Sequence, residues 1–388
     1  MADERDPSAW AKCLAELAAA GDRLAASMAQ RGESDRGTDA YVAMLGVVMD
    51  VYLNRVSVDA RHPVFVPCTG YYQRLGTPNP DTIYRRAPID EAGIYRLTGE
   101  RGSAAEVTLM AFQEPSMKSF APFDLTPVSH GPDAIFDLIY SAARPQGYTG
   151  DWLPLEPGTA SLWLRAVSDR WGEESEPRIA ITRLDGSSRQ RMEPQALEQT
   201  LATLAARAER TLEYGIRHAD ELAEAGFINR LKEIDYSQAG GMPLQSYHEG
   251  LFQLGEDQAL LVEAKMPQDC RLFSWALTDR MFVTLDWTNA HCSLNRVQAA
   301  IDADGMLRVI VSAKDPGSPN WLETCGYASG VLQCRSSGSV TAPKIAARVI
   351  PLAAAFDHLP AGTRRITPEE RQEQLRQRQA GMQMRHLW

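Results

Sequence analysis

At 388 residues the chain is longer than a typical single domain, which predicts two domains or subdomains. Hydrophobic residues make up 44% of the chain and charged residues 23%, proportions typical of a soluble globular protein. A formal net charge of −10 argues against a nucleic-acid binder, which needs a basic face, and against binding to an anionic membrane surface.

The chain shows no signal for export or for membrane insertion. Residues 1–6 lack the basic and apolar regions of a signal peptide, and no apolar segment approaches the length of a membrane span. The six cysteines have no C-x-x-C spacing, so we interpret them as reduced, mostly buried thiols. These features predict a cytoplasmic protein without a disulfide or zinc framework.

Residues 1–57 are predicted to form a helical segment. Asp6 followed by Pro7 is a good helix start, and apolar residues recur at helical spacing over residues 7–30. A second helix is predicted over residues 39–56. Its side chains predicted to face inward are Tyr41, Leu45, Val48, Met49 and Tyr52. Such helices usually cover a sheet or a subunit interface, so we expect a homo-oligomer formed through them.

The hydrophobic period then changes to short strands, which predicts an antiparallel β domain over residues 58–190. Turn-forming residues separate the strands. The predicted strands are residues 63–67, 71–75, 82–86, 93–97, 105–112, 160–167 and 177–184.

The second half repeats this organisation after a bridging helix and linker, residues 191–240, with helical spacing over residues 193–222. Strands resume in residues 241–360, and their even spacing predicts a jelly-roll-like sandwich. The first of these strands is predicted at Leu251, and the others are residues 258–264, 272–278, 281–285, 306–313, 331–335 and 346–352. Residues 361–388 form a tail with a helix at 368–384. The fold class is therefore β-rich α+β with two antiparallel β units, which could be distant copies although no sequence repeat is visible.

Two stretches resemble bacterial families of unknown function. Residues 77–84, TPNPDTIY, with the Gly93-Ile94-Tyr95 that follows, resemble the N-terminal family numbered twelve-fifty-four. That family's pattern is closer to TPNNDTLY, so Pro80 replaces its second Asn. Residues 293–335 resemble the C-terminal family numbered twelve-fourteen. The resemblance covers about residues 40–350 and implies a β-rich, two-part architecture, but no established reaction and no catalytic residue.

The sequence contains none of the common signatures of cofactor or metal use. Neither G-x-G-x-x-G nor G-x-x-x-x-G-K-[ST] occurs, and there is no G-x-S-x-G elbow. The seven histidines never form H-x-H or H-x-x-x-H. We therefore predict that the protein uses no cofactor and no metal.

The first candidate site lies in residues 77–84, where Asn79 and Asp81 sit in a proline-rich turn after Tyr72. Asp81 would be a general acid or base if it were desolvated, and Tyr84 a hydrogen-bond donor. Asn79 and Tyr72 are predicted to bind substrate. The alternative is an Asx turn, in which the side chains bond local backbone amides.

The second candidate site lies in residues 285–335, with His291 as a proton carrier near neutral pH. Trp287, Asn295 and Trp321 are predicted to bind substrate. The alternatives are a hydrogen-bonded structural histidine and core tryptophans. Residues 247–250, Tyr-His-Glu-Gly, offer another His/Glu pair with the same alternative.

If the two β units pack face to face, these candidate sites meet at their junction. We therefore predict one shared cavity. The residues expected to line it are Asp81, Tyr84, Trp287, His291 and Trp321. The predicted function is a cofactor-free lyase, isomerase or hydrolase that acts on a small, largely apolar or sugar-like molecule. The alternative is a non-catalytic β-sandwich protein that binds a carbohydrate or a partner.

Overall fold

The protein is a β-rich α+β molecule with two β units, each made of two sheets. The computed structural model describes residues 8–33, 36–114, 116–125, 135–186, 192–236, 240–242, 245–339 and 341–386.

Three helices pack together beside the β units: α1 (Ala9–Gln30), α2 (Gly37–Val51) and α3 (Pro194–Glu224). The hydroxyl of Ser8 caps α1 by accepting a hydrogen bond of 3.2 Å from the Ala11 N–H. The predicted cap, Asp6, lies outside the described residues, as does Pro7. A π-helical turn, Tyr52–Val56, extends α2.

The predicted inward face of α2 is wrong. Tyr41, Leu45 and Tyr52 are exposed, Leu45 to 68%. The buried residues of α2 are Ala40, Ala43, Met44, Val47 and Val51. Because α2 carries apolar residues on more than one side, periodicity alone does not select the packed face. Two alanines on the chosen face let α2 lie close to its helical neighbours.

The first β unit is a sandwich of a five-stranded and a four-stranded sheet. Its strands are β1 (Val66–Thr69), β2 (Thr82–Pro88), β3 (Tyr95–Glu100), β4 (Glu106–Gln113), β5 (Phe123–Asp124), β6 (Ile135–Ser141), β7 (Asp151–Pro154), β8 (Thr159–Val167) and β9 (Arg178–Arg183). The sheet orders are β1-β2-β8-β4-β5 and β7-β6-β3-β9. Leu97 and Leu138 from the smaller sheet pack with Leu164 from the larger one in its core.

The second β unit has the same architecture. Its strands are β10 (Lys232–Ile234), β11 (Gln245–Gln253), β12 (Gln258–Lys265), β13 (Leu272–Thr278), β14 (Ser293–Asn295), β15 (Met306–Ser312), β16 (Trp321–Glu323), β17 (Ser329–Ser337) and β18 (Ile345–Pro351). The sheet orders are β10-β11-β17-β13-β14 and β16-β15-β12-β18. Val262 and Val309 pack with Leu332 in the core between the sheets.

The two units share one topology. Each strand of the second unit is numbered nine higher than the strand in the same place of the first. The pair β6–β7 is parallel, and so is the equivalent pair β15–β16. The shared strand order, register and parallel pair indicate that one nine-stranded unit occurs twice in the chain.

Most predicted strands match the structure within two residues at each end, but two do not exist. Residues 71–75 make only one isolated bridge, from Leu75 to Val283. Residues 281–285 form a loop in which Phe282 has φ +63°. The strands that were not predicted are β5, β6, β7, β10, β14 and β16.

The two five-stranded sheets face each other. Ser337 of β17 donates a hydrogen bond of 3.0 Å to the Glu106 carboxylate of β4. The helix α3 packs against α1, α2 and β11. A fourth helix, α4 (Pro368–Met384), lies on the second unit, where Met382 joins the core. The junction between the sheets is therefore enclosed on its sides by helices.

All six cysteines are free, and all except Cys325 are buried, which confirms their predicted burial. In the described part of the chain, no helix combines the length and apolar character needed to cross a membrane.

Candidate functional site

A cavity of about 540 Å³ lies between the two five-stranded sheets, α2 and α3. This volume falls in the range of small-molecule sites. Aromatic side chains from both units and from α3 form much of its wall: Tyr84, Phe112, Trp163, Tyr214, Tyr236, Tyr247 and Phe282.

The duplicated topology places two equivalent tyrosine–arginine pairs in this cavity. Tyr84 of β2 lies opposite Arg165 of β8, and Tyr247 of β11 lies opposite Arg335 of β17. The guanidinium carbon lies 5.3 Å from the ring centre in the first pair and 5.8 Å in the second. All four side chains line the cavity.

Both tyrosine hydroxyls are fixed in the same way. The Tyr84 hydroxyl accepts a hydrogen bond of 3.2 Å from the Asn79 N–H, and the Tyr247 hydroxyl accepts one of 2.9 Å from the Met242 N–H. In each case the donor lies five residues before the tyrosine. The loop that enters the second strand of each unit therefore anchors its tyrosine.

The cavity contains more positive than negative charge. Arg165 is 8% exposed and Arg335 is 6% exposed. Within the described residues neither guanidinium forms an ion pair, although Glu106 acts on Arg165 from a longer distance. Arg335 donates hydrogen bonds to the carbonyl and hydroxyl oxygens of Thr77. Burying a charge without a counter-charge is unfavourable, so this part of the cavity favours an anion.

The two arginines also act on Tyr84. Burial raises the pKa of the Tyr84 phenol, but the positive charges of Arg165 and Arg335 lower it, and the net pKa lies below the usual value for tyrosine. The cavity's other arginine, Arg207, is compensated by Asp50 at 3.6 Å.

A buried carboxylate lies behind the part of the cavity wall that Tyr236 and Gln333 form. Glu249 of β11 is fully buried, and its oxygens accept hydrogen bonds from the Tyr236 hydroxyl at 2.8 Å and from the Gln333 amide. The Nε2 atom of His218 on α3 lies 2.7 Å from the same carboxylate. Burial and the charge of Glu249 raise the pKa of Tyr236.

Three predicted site residues meet in a polar cluster that joins the two units. The Asp81 carboxylate accepts hydrogen bonds from Ser274 at 2.6 Å, Asn295 at 2.7 Å and Trp171 at 3.0 Å. The Asn79 side-chain oxygen accepts one from the Asp81 N–H at 2.9 Å, which confirms the Asx turn. Burial raises the pKa of Asp81. Asn79, Asp81, Ser274 and Asn295 are buried, Trp171 is half-buried, and none of the five lines the cavity of about 540 Å³.

The prediction that five residues line one shared cavity is wrong. Only Tyr84 lines the cavity between the units, and the other four residues do not: Asp81, Trp287, His291 and Trp321. His291 and Trp321 line a separate cavity of about 370 Å³ beside α4. Trp321 lies on β16, an edge strand of the four-stranded sheet of the second unit, and residues 169–171 and 173 of the first unit line the same cavity. Burial, together with Arg378 and Arg371, lowers the pKa of His291 to about 4.

The last two predicted residues, Trp287 and Tyr72, both line a narrow cleft that Tyr84 also lines. Trp287 is buried in the core of the second unit. Tyr72 is exposed and packs edge-on against Tyr71, and the cleft that it shares with Trp287 and Tyr84 has a volume of only about 30 Å³. Among the described residues, no group of three or more His, Cys, Asp or Glu side chains is placed to hold a metal ion.

Sequence reasoning missed the cavity arginines and the partner of Glu249. A signal was present for Arg165 and Arg335, since each interrupts a strand of otherwise uncharged, mostly apolar residues, LWLRAV and VLQCRS. The His/Glu pair predicted at residues 248–249 does not form because neighbouring side chains of a strand point to opposite faces. His218, from α3, bonds Glu249 instead.

The fold is shared with a solved structure of a protein described as uncharacterised. No family model matches the chain, and no curated protein matches it. A crystal structure from Burkholderia cenocepacia is 25% identical, with a TM-score of 0.81, over 89% of this chain and 97% of that chain. A protein from Vibrio parahaemolyticus is 14% identical, with a TM-score of 0.45, over 79% and 96% of the two chains. Vicilin from Corylus avellana is 12% identical, with a TM-score of 0.16, over 76% and 85%. Of these three likenesses, only the first is strong enough to support the fold.

Proposed function

We propose that the protein binds a small organic anion with an apolar or aromatic body in the cavity between its two β units. The observation that carries the proposal is the pair Arg165 and Arg335, both buried in the cavity wall and both without an ion pair among the described residues. A carboxylate held between two guanidinium groups accepts charge-assisted hydrogen bonds from both. The Tyr84 hydroxyl supplies a further donor beside them.

The rest of the cavity wall suits an apolar body. Phe112, Trp163 and Phe282 present rings to the cavity, and Met110 and Met117 present flexible thioethers. Such a wall favours an aromatic or aliphatic acid over a sugar, which needs several polar partners. The proposal requires no cofactor.

The exposure of the tryptophans bears on the alternative of a carbohydrate-binding protein. A surface that stacks on sugars presents tryptophan rings to solvent. Among the described residues Trp10 is the only tryptophan that is largely exposed, and it lies on α1, which packs against α2 and α3. The cavity is therefore a better candidate than a tryptophan surface for ligand binding.

Binding of acids and their neutral amides tests the proposal. We expect benzoate, phenylacetate and hexanoate to raise the melting temperature and to bind measurably by calorimetry, and benzamide and phenylacetamide to do neither. Arg165→Gln and Arg335→Gln should each weaken acid binding by about 10-fold to 100-fold, since a hydrogen bond to a charged group contributes about 1.5–3 kcal/mol.

Arg96→Gln is the matched control, because Arg96 also lies on a strand but forms an exposed ion pair with Asp137. It should bind the acids like the wild type. Equal binding of acids and amides, or undiminished binding by both cavity variants, contradicts the proposal.

A further inference from the structure

We infer that Tyr236, Glu249 and His218 form a proton relay that exchanges protons between solvent and a carbon next to a carbonyl group of the bound acid. The inference rests on the proposed anion site, because the relay can act only on a ligand in that cavity. The substrate class is an organic acid whose carbonyl group makes a neighbouring C–H acidic, such as a 2-oxo acid.

The three groups are in direct contact. The Tyr236 hydroxyl lies 2.8 Å from each Glu249 oxygen, and His218 Nε2 lies 2.7 Å from one of them. Proton transfer requires heavy-atom distances of about 2.6–3.2 Å, so both links are short enough without a bridging water.

The relay connects the cavity with the outside of the molecule. Tyr236 lines the cavity, Glu249 is fully buried behind it, and the His218 side chain on α3 is 11% exposed. The His218 ring packs 4.8 Å from the ring of Phe282, which fixes its position. Histidine is the side chain best suited to take and release protons near neutral pH.

The duplicated fold shows that a carboxylate is not needed at this position. Glu249 stands two residues after Tyr247, and Arg86 stands two residues after Tyr84 in the equivalent strand. Arg86 is buried as well, and it pairs with Glu114. The same place in the fold thus holds a cation in one unit and a carboxylate with a histidine partner in the other, so the choice of Glu249 is specific to the second unit.

The step balances without a cofactor. The C–H bond of the ligand breaks, and its electron pair stays on the ligand as an enolate. The proton bonds to the Tyr236 oxygen while the Tyr236 proton moves to Glu249. Glu249 then exchanges that proton with solvent through His218. In the reverse direction a solvent proton reaches the same carbon, so the net result is exchange or, at a stereogenic carbon, epimerisation. Arg165 and Arg335 stabilise the anionic ligand throughout.

Deuterium exchange tests the relay without knowledge of the natural substrate. Pyruvate, 2-oxobutyrate and phenylpyruvate are incubated with the intact protein in D₂O, and loss of the C3 proton signals is followed by NMR against protein-free samples. We expect exchange above background for at least one acid. Tyr236→Phe and Glu249→Gln should slow it by at least about 100-fold, as removal of a general base does. His218→Gln should slow it and change its dependence on pH.

His248→Gln is the matched control, because His248 is adjacent to Glu249 on β11 but points to the opposite face. It should leave the exchange rate and its pH profile unchanged. Thermal stabilisation by the same acids separates the two proposals, since Tyr236→Phe should still bind them. Binding without exchange in the wild type overturns the relay alone, as does undiminished exchange in Tyr236→Phe. Absence of binding by every acid overturns the anion site and the relay with it.

Discussion

Asp279 shows how a single buried carboxyl group can shape a loop and make stability depend on pH. The Asp279 carboxylate accepts hydrogen bonds from the N–H groups of Met281 at 2.8 Å and Val283 at 3.0 Å. These bonds hold the turn in which Phe282 has its positive φ. Burial raises the pKa of Asp279 to about 7, and the negative charges of Asp39 and Glu33 contribute to this increase.

We expect Asp279 to reduce stability as pH rises from about 4 to 7. Its pKa is higher in the folded than in the unfolded protein, so the folded state holds the extra proton in this window. The free energy of unfolding therefore falls by about 1.4 kcal/mol for each increase of one pH unit in this range. Asp279→Asn keeps the acceptor oxygen but cannot ionise. Urea unfolding between pH 4 and 8.5 should therefore show Asp279→Asn gaining stability relative to the wild type as pH rises.

The fully exposed Asp257 provides the control, and Asp257→Asn should follow the wild-type pH curve. A constant offset for Asp279→Asn would reflect its new amide group. Parallel curves for Asp279→Asn and the wild type over the whole range would contradict the prediction.

At the scale of single residues, local chemistry could be read from the sequence and distant partners could not. The sequence singled out Asn79, Asp81 and Asn295, and the structure brings them together in one polar cluster, while their predicted catalytic and substrate-binding roles stay predictions. The Asx turn follows from local spacing, but the Asp81 partner Ser274 lies 193 positions away. Without that partner, a buried acid in a cavity and a buried acid in a polar cluster have the same sequence pattern.

The helix α3 depends on a close backbone contact at Gly215. A Cβ atom at this position would lie 2.5 Å from the backbone carbonyl carbon of Met281. This contact brings α3 against the loop held by Asp279. Tyr214 and Phe282, which flank the contact, both line the cavity.

We expect Gly215→Ala to destabilise the protein, although alanine is favoured over glycine in an exposed helix by about 1 kcal/mol. The new methyl group cannot be accommodated without moving α3 away from Met281. Chemical unfolding should show the loss. Gly46→Ala in α2 is the control, because its Cβ would meet side-chain atoms and no backbone, the nearest being the end of Leu75 at 3.3 Å and Gln73 at 3.6 Å. A gain in stability for Gly215→Ala would show that α3 is free to shift.

At the scale of elements, the spacing of hydrophobic residues predicted the bounds of strands better than it predicted which face of a helix is buried. Strands such as β8 and β13 are mostly buried runs of largely apolar residues, so their bounds follow from the sequence. β6 carried a usable signal, since Phe136 and Leu138 are buried while Ile135 and Asp137 are exposed. β7 is a four-residue edge strand paired in parallel with β6, and its half-exposed residues give no period.

At the scale of the whole molecule, the candidate site follows from duplication. Two units with one topology place equivalent Tyr–Arg pairs on facing sheets, and the cavity forms where those sheets meet. The sequences of the units have diverged too far for this to be visible beforehand. Arg86 in the first unit and Glu249 in the second occupy equivalent strand positions, so the two units do not share even the sign of the charge there. A homo-oligomer formed through α1 and α2 stays a prediction.

The C-terminal end of α4 fastens the second unit to the first. Arg385, 1% exposed as a side chain, forms an ion pair of 2.7 Å with Glu176, which is 2% exposed. Arg385 also donates hydrogen bonds to the carbonyl oxygens of Pro80 and Asp81, at 3.0 and 3.1 Å. It therefore supports the turn that carries Asp81 and leads into β2.

We expect Arg385→Gln to destabilise the protein by about 3–5 kcal/mol, because it leaves Glu176 buried without its counter-charge. The double variant Arg385→Gln, Glu176→Gln should recover part of this loss, since the buried charge of Glu176 is removed together with its ion-pair partner. Arg376→Gln is the control on the same helix, where the ion pair with Glu373 is exposed and contributes little. Urea unfolding of the four proteins measures these differences. If Arg385→Gln unfolds like Arg376→Gln, α4 does not fasten the units together, and the contacts between the two five-stranded sheets alone must hold the cavity closed.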